Sequence, residues 1–183
     1  MRKINAVISM AVLALFLVHA VAGGFQLAGV MPGGSTVMSI LAWVMTALIG
    51  VHIVIGIKLT ADSLKAIKRS GKSYLKENKL FWIRRISGFA IMFFILFHIL
   101  IFMGKTSDGV YRLEAFETLQ LISQILLVVT IALHVISNAR PMLLSFGIKS
   151  FKEIGIDIAL VLCFVLIFTA AAFIIYYIRW NVI

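Results

Sequence analysis

The chain has 183 residues, of which 62% are hydrophobic and only 13% are charged, and its formal net charge is +10. Soluble domains carry about 25% charged residues, so this chain has too few polar side chains to cover a water-facing surface. Its single cysteine excludes a disulfide scaffold, a cysteine-ligated iron–sulfur cluster and covalent haem attachment. The composition therefore predicts an integral membrane protein.

Five stretches of the chain are apolar enough to cross the membrane as helices, which takes about 20 residues for about 30 Å of hydrocarbon. In chain order they are residues 4–26, 36–57, 83–104, 117–139 and 156–178. Charged residues occur only at their ends, as the cost of placing charge in lipid requires. The connecting segments are too short for a catalytic domain. We predict one all-α domain over residues 1–183, a bundle of five transmembrane helices.

The basic residues predict how this bundle is oriented. If the N-terminus is cytoplasmic, fourteen of the 17 Lys and Arg residues lie on the cytoplasmic side. Short cytoplasmic loops are enriched in such residues, so we predict a cytoplasmic N-terminus and an external C-terminus. The positive charge is then explained by topology and lipid contact, and no nucleic-acid partner is expected. The first stretch imitates a signal peptide, but its apolar run is long for one, and we expect it to remain as the first helix.

Each of the first four predicted helices contains one histidine. In chain order these are His19, His52, His98 and His134. Two of them are shallow, because His52 and His134 each lie six residues before a basic residue at the cytoplasmic boundary. At the helical rise of 1.5 Å per residue, both are about 9 Å from that boundary.

The other two histidines are deep. His19 lies sixteen residues beyond Lys3, and His98 lies thirteen residues beyond Arg85, which places both roughly 20–24 Å from the cytoplasmic boundary. An iron held by two histidines needs each nitrogen about 2 Å away, so its two ligands must share a depth. This permits His19 with His98 at an outer site and His52 with His134 at an inner site.

We interpret the two depth-matched pairs as the ligands of two b-type haems. A zinc or copper site is disfavoured, since no cysteine or carboxylate lies at either depth to complete the ligand set. The alternative is that each histidine hydrogen-bonds between helices and binds nothing.

Residues near the histidines suit a flat macrocycle. Three of the histidines are followed four residues later, on the same helix face, by a small residue that would let a porphyrin approach the backbone. These residues are Gly23, Gly56 and Asn138. Lys58 and Arg140 stand near the inner helix ends, where long basic side chains can turn towards haem propionates.

Two short segments resemble the cytochrome b subunit of succinate dehydrogenases and quinol:fumarate reductases. Residues 82–88 read Trp-Ile-Arg-Arg-Ile-Ser-Gly and precede a histidine by ten residues, like the family's basic-Arg-x-Ser/Thr-Gly element. Residues 134–140 read His-Val-Ile-Ser-Asn-Ala-Arg, like the family's second element, with asparagine where glycine is more usual. The resemblance adds Arg84, Arg85 and Ser87 to the candidate haem-binding residues.

The resemblance also implies the cofactors and partners. The five-helix, di-haem branch of the family pairs its first ligand with the third and its second with the fourth. It implies two haem b groups, a flavoprotein with FAD and an iron–sulfur subunit on the cytoplasmic face of a bacterial cell membrane, and a quinone, expected to be menaquinone. Some members use a glutamate two residues before the fourth ligand for proton return, and Ala132 occupies that position here.

We therefore expect a non-catalytic electron-transfer subunit that works between a membrane quinone and the partner subunits, in either direction. Four residues near the outer face are candidates for the quinone site, although a solvated rim explains them equally well: Gln26, Glu114, Glu117 and Gln120. Two alternatives remain. One is the anchor of a nitrate reductase, hydrogenase or formate dehydrogenase, which tends to carry two ligands on one helix. The other is a haem-free transporter or assembly protein.

Overall fold

The computed structural model describes residues 1–70, 79–107, 110–112, 115–148 and 152–182. The helices in this part of the chain are α1 (Arg2–Leu27), α2 (Thr36–Ser70), α3 (Lys79–Phe102), α4 (Thr118–Ser145) and α5 (Lys152–Asn181). All five are long and apolar enough to cross a membrane. The predicted number and order of such helices are thereby confirmed for the described residues.

Two features differ from the sequence prediction. Helix α2 continues from the predicted end at residue 57 to Ser70, because residues 58–70 contain neither proline nor glycine and are rich in good helix formers. Between α3 and α4, two short strands form an antiparallel hairpin, β1 (Lys105–Ser107) and β2 (Val110–Arg112), with Lys105 opposite Arg112. The prediction of a wholly helical chain did not include this hairpin.

The exposed surface of the bundle is apolar. On α3, a stripe of large apolar side chains at helical spacing is at least 57% exposed, namely Ile86, Phe89, Phe93, Leu96 and Leu100. The buried polar side chains among the described residues are Ser87 and Gln124. Single exposed apolar side chains are normal in a water-soluble protein, but a continuous stripe of large ones along a helix marks a surface that contacts lipid or another protein.

The helices pack as two pairs that α5 joins. Helix α1 packs along α2, α3 packs along α4, and α5 contacts both α1 and α4. On α1, Gly24 allows close approach to α5, since a Cβ atom there would collide with the ring of Phe168. We call the end that holds Arg84 the inner end, and the end that holds the buried cluster of Phe116, Phe173 and Tyr176 the outer end.

Between the two helix pairs lies a cavity of about 2320 Å³. Residues of all five helices line it, from Arg2 near the inner end to Trp180 at the outer end. Within the described part of the chain, α2 makes no contact with α3 or α4 comparable to its packing on α1, so the cavity separates them. The cavity is the feature that positions the candidate site.

Candidate metal centre

The four histidines line the cavity and face each other in two pairs. His19 on α1 meets His98 on α3, with their ring centroids 6.0 Å apart and their planes at 76°. His52 on α2 meets His134 on α4, with centroids 6.2 Å apart and planes at 86°. We call His19 with His98 the outer pair and His52 with His134 the inner pair. These are the partners that the depth estimate had predicted.

The spacing within each pair is that of two imidazoles with room for one metal ion between them. A metal–nitrogen bond is about 2 Å long, and the centre of an imidazole ring lies about 1 Å behind its coordinating nitrogen. Two axial ligands on one ion therefore have ring centroids about 6 Å apart. Both measured distances, 6.0 and 6.2 Å, agree with that value.

Each histidine of the inner pair contacts a serine hydroxyl on the neighbouring helix. His52 Nδ1 lies 3.3 Å from Ser9 Oγ on α1, and His134 Nδ1 lies 3.2 Å from Ser87 Oγ on α3. Each serine donates its own hydroxyl hydrogen to the backbone carbonyl four residues before it, at 2.8 and 2.6 Å. With its hydrogen on that carbonyl, each serine oxygen accepts from the imidazole, an arrangement that places the hydrogen of both histidines on Nδ1 and a lone pair on Nε2.

The outer pair has one such partner. His98 Nδ1 lies 2.8 Å from Oε1 of Gln124 on α4. The Gln124 amide donates to Ser123 Oγ at 3.0 Å, and Ser123 donates its hydroxyl hydrogen to the carbonyl of Gln120 at 2.7 Å. For His19 the structure shows the ring contact with His98 and no hydrogen-bond partner among the described residues.

The two pairs occupy two levels of the bundle. Three helices each place one residue at the inner pair and another at the outer pair. These residues are Ser9 and His19 on α1, Ser87 and His98 on α3, and His134 and Gln124 on α4. Ten or eleven residues separate the two on each helix. The levels are therefore about 15–16 Å apart along the bundle, roughly half the thickness of a hydrocarbon core.

The two segments that carried the family resemblance pack against each other at the inner level. Arg84 Nε donates to the carbonyl of Ser137 at 2.8 Å, which joins α3 to α4. A Cβ atom on Gly88 would lie 3.2 Å from His134 Cε1, so glycine at this position leaves room for the imidazole. Together with the bond between Ser87 and His134, these contacts hold one histidine of the inner pair in place.

The inner end of the cavity is polar and basic. Arg84 and Arg85 line it, and Arg85 Nε is buried without a hydrogen-bond partner, as is Asn5 Oδ1. Lys58 and Arg140, which we expected to reach propionate groups, are exposed and are not among the residues that line the cavity. The structure thus places Arg84 and Arg85, rather than Lys58 and Arg140, beside the inner pair.

The three small residues that follow the histidines all line the cavity. A Cβ atom at Gly23 or Gly56 would meet nothing within 4 Å, so both helices present bare backbone to the cavity beside a histidine. Asn138 instead uses its side chain, since its Nδ2 donates to the carbonyl of His134 at 2.8 Å.

The quinone candidates are not brought together in one site. Gln26 lines the large cavity, while Gln120 lines a separate cavity of about 170 Å³. Glu117 and Gln120 cap the N-terminus of α4 reciprocally, which is a structural role for both. Glu114 lies outside the described residues.

Three polar residues of the site, Asn5, Ser9 and Gln124, were not predicted from the sequence. A signal for Gln124 is present, because an uncharged amide within an apolar span needs a partner inside the bundle. Ser9 and Asn5 gave a weaker signal, since serine and asparagine near a helix end are common and require no special explanation.

Comparison with known proteins adds no relative: no protein-family model, curated protein or solved structure matches the chain. Among the described residues, no group of three or more His, Cys, Asp or Glu side chains comes together to hold a metal ion. Each candidate centre therefore offers two imidazoles from the part of the chain that the structure describes.

Proposed function

We propose that the chain is a di-haem cytochrome b membrane anchor of the succinate dehydrogenase and quinol:fumarate reductase type, in a bacterial cell membrane with its N-terminus in the cytoplasm. The outer pair and the inner pair would each hold one haem b. The observation that carries the proposal is the pair of matched spacings, 6.0 and 6.2 Å, on four different helices. When bound, haem supplies reversible one-electron iron chemistry, which connects a membrane quinone to cytoplasmic flavoprotein and iron–sulfur partners.

The donor chemistry fits haem. In His52, His98 and His134 the hydrogen-bond partners fix the hydrogen on Nδ1, which leaves the Nε2 lone pair for iron. Histidines that only link helices would explain these Nδ1 contacts. The same four rings also form two pairs whose centroid spacing leaves room for one metal ion, which haem binding uses and helix linkage does not require.

The cavity fits two macrocycles. Pockets for drug-sized ligands have volumes of about 300–1000 Å³, and this cavity exceeds twice the upper value at about 2320 Å³. Gly23 and Gly56 offer bare helix backbone on which a flat ring can lie. The buried and unpaired Arg85 Nε at the inner end supplies a donor that a propionate would satisfy.

The surface supports insertion in a membrane. The apolar stripes on the outside of the helices would be costly in water and match hydrocarbon. Beyond the predicted membrane boundary, α2 continues as an exposed basic helix with Lys65, Lys68 and Arg69, a suitable surface for cytoplasmic subunits. An electron that moves between the two levels crosses about half of the core, which couples its energy to the membrane potential.

Haem counting tests this proposal. We expect detergent-purified protein to contain two b-type haems per chain by the pyridine haemochrome assay, and His19→Ala and His134→Ala each to retain one. A colourless protein with the helical circular dichroism of a folded bundle would overturn it. Identification of the co-purifying subunits, with assays of succinate oxidation and fumarate reduction, then separates this anchor from that of another quinone-linked oxidoreductase.

A further inference from the structure

Gln124 is the one fully buried polar side chain at the outer level among the described residues, with 0% of its surface exposed. An amide buried in an apolar bundle is destabilising unless its hydrogen bonds are made. It lies in the second turn of α4, where a leucine or methionine would fill the same space without that requirement. The amide is therefore present for what it contacts, which is the imidazole of His98.

In the hydrogen-bond network of Gln120, Ser123, Gln124 and His98, the donor and acceptor of each bond follow from the bond that Ser123 makes. Ser123 uses its only hydrogen on the Gln120 carbonyl, so Ser123 Oγ must accept from the Gln124 amide nitrogen. The Gln124 carbonyl oxygen then faces His98 and must accept from Nδ1. With the Ser123 hydrogen on the Gln120 carbonyl, this orientation of the amide satisfies both neighbours and places the hydrogen of His98 on Nδ1.

We propose that Gln124 is a positioning residue that fixes the ring of His98 as an iron ligand and sets the reduction potential of the outer haem separately from that of the inner haem. This inference rests on the proposed haem function. An acceptor on the second ring nitrogen makes an imidazole a stronger electron donor, and a stronger donor stabilises oxidised iron.

The bond from His98 is shorter than the corresponding bonds of the inner pair. It measures 2.8 Å to an amide oxygen, against 3.3 and 3.2 Å to the hydroxyls of Ser9 and Ser87. The outer pair also depends on this one bond, whereas the inner pair has two such bonds, because His19 has no hydrogen-bond partner among the described residues. Gln124 is thus the dominant influence on ligand strength at the outer level.

The test is an optical redox titration, with electron paramagnetic resonance of the oxidised protein, on full-length Gln124→Met, Gln124→Glu and Ser87→Ala. Methionine fills the space without an acceptor, whereas a glutamate keeps an acceptor oxygen whether or not it is ionised. We expect Gln124→Met to raise the potential and move the resonance of the haem that His19→Ala removes. Gln124→Glu should leave that potential unchanged or lower it, and Ser87→Ala should affect only the other haem.

If the Gln124 variants bind both haems, two results would overturn the inference. One is an unchanged outer potential and resonance in Gln124→Met, and the other is a shift of the same sign and size in Gln124→Met and Gln124→Glu. Gln124→Met could also fail to incorporate the outer haem. In that case, retention of the outer haem in Gln124→Glu supports the need for an acceptor at this position, and loss of the outer haem in both variants overturns the inference. Wild-type protein without haem would refute the proposed function itself, which this experiment distinguishes from a failure at Gln124 alone.

Discussion

The inner and outer pairs have nearly the same ring spacing, but the helices hold them differently. At the inner level, each histidine contacts a serine on the adjacent helix, Ser9 or Ser87. At the outer level, His98 contacts an amide and His19 has no such contact among the described residues. Helix packing therefore sets the spacing between the two rings of a pair, whereas single residues one helix away provide the polar group that meets each imidazole.

The surroundings of the two pairs also differ in charge. The outer pair adjoins aromatic rings, with Phe102 and Phe173 centred 5.0 and 6.4 Å from His98. The inner pair adjoins two guanidinium groups, Arg84 and Arg85. Positive charge favours the reduced form of a nearby iron, so, if each pair holds a haem, we expect the inner haem to have the higher potential.

The largest expected effect is on the haem content of variants that lack two histidines, and it tests whether the two pairs are separate sites. The double variant His19→Ala with His98→Ala removes both ligands of one centre, so we expect it to keep one haem per chain. The double variant His19→Ala with His52→Ala damages both centres, so we expect it to keep none. Haem per chain by pyridine haemochrome measures this, and equal haem content in the two double variants would show that the pairing is wrong.

A smaller effect should follow from removing charge at the inner level. We expect Arg85→Gln to lower the potential of the inner haem, because a positive charge beside the cavity is lost. The reduced form should be destabilised relative to the oxidised form by an amount on the order of 1 kcal/mol. Arg140→Gln is the matched control, since Arg140 is exposed and does not line the cavity. Redox titration of both variants decides the point, and an equal fall in the two would mean that general surface charge, rather than Arg85, sets the potential.

The smallest expected effect concerns His19, which has no hydrogen-bond partner among the described residues. Gln124, the acceptor for His98, lies ten residues before His134. The corresponding position ten residues before His52 is Ala42, which lines the cavity. We expect Ala42→Ser to supply an acceptor for His19 and to lower the outer potential by stabilising the oxidised form by about 0.5 kcal/mol, the low end of the net contribution of a hydrogen bond.

Ala47→Ser on the exposed face of the same helix is the control for this change. It should leave both haem potentials at their wild-type values. If Ala42→Ser moves the inner potential instead, position 42 does not lie at the outer level, and the correspondence between α2 and α4 fails.

The sequence predicted the helices better than the connections. Because length and hydropathy are local properties, each apolar stretch identified its helix, whereas the continuation of α2 to Ser70 and the hairpin of β1 and β2 lay in segments without a periodic apolar signal. The partners of the histidines followed from depth alone, since helical rise converts residue number into distance. Position along the helices did not identify the basic residues beside the cavity. Lys58 and Arg140 are closer to the histidines in sequence, yet Arg84 and Arg85 face the cavity.

Hydrophobicity and the constant rise of a helix are local properties, so the amino-acid sequence alone predicts five apolar helices and histidines at two depths. The polar groups that meet each imidazole depend instead on the tertiary structure. Those contacts depend on the rotation of each helix about its axis and on its neighbours, so Ser9, Ser87 and Gln124 reach a ring nitrogen, while no described residue accepts from His19. Rotation and neighbours are set by packing across the whole bundle, which no local pattern encodes.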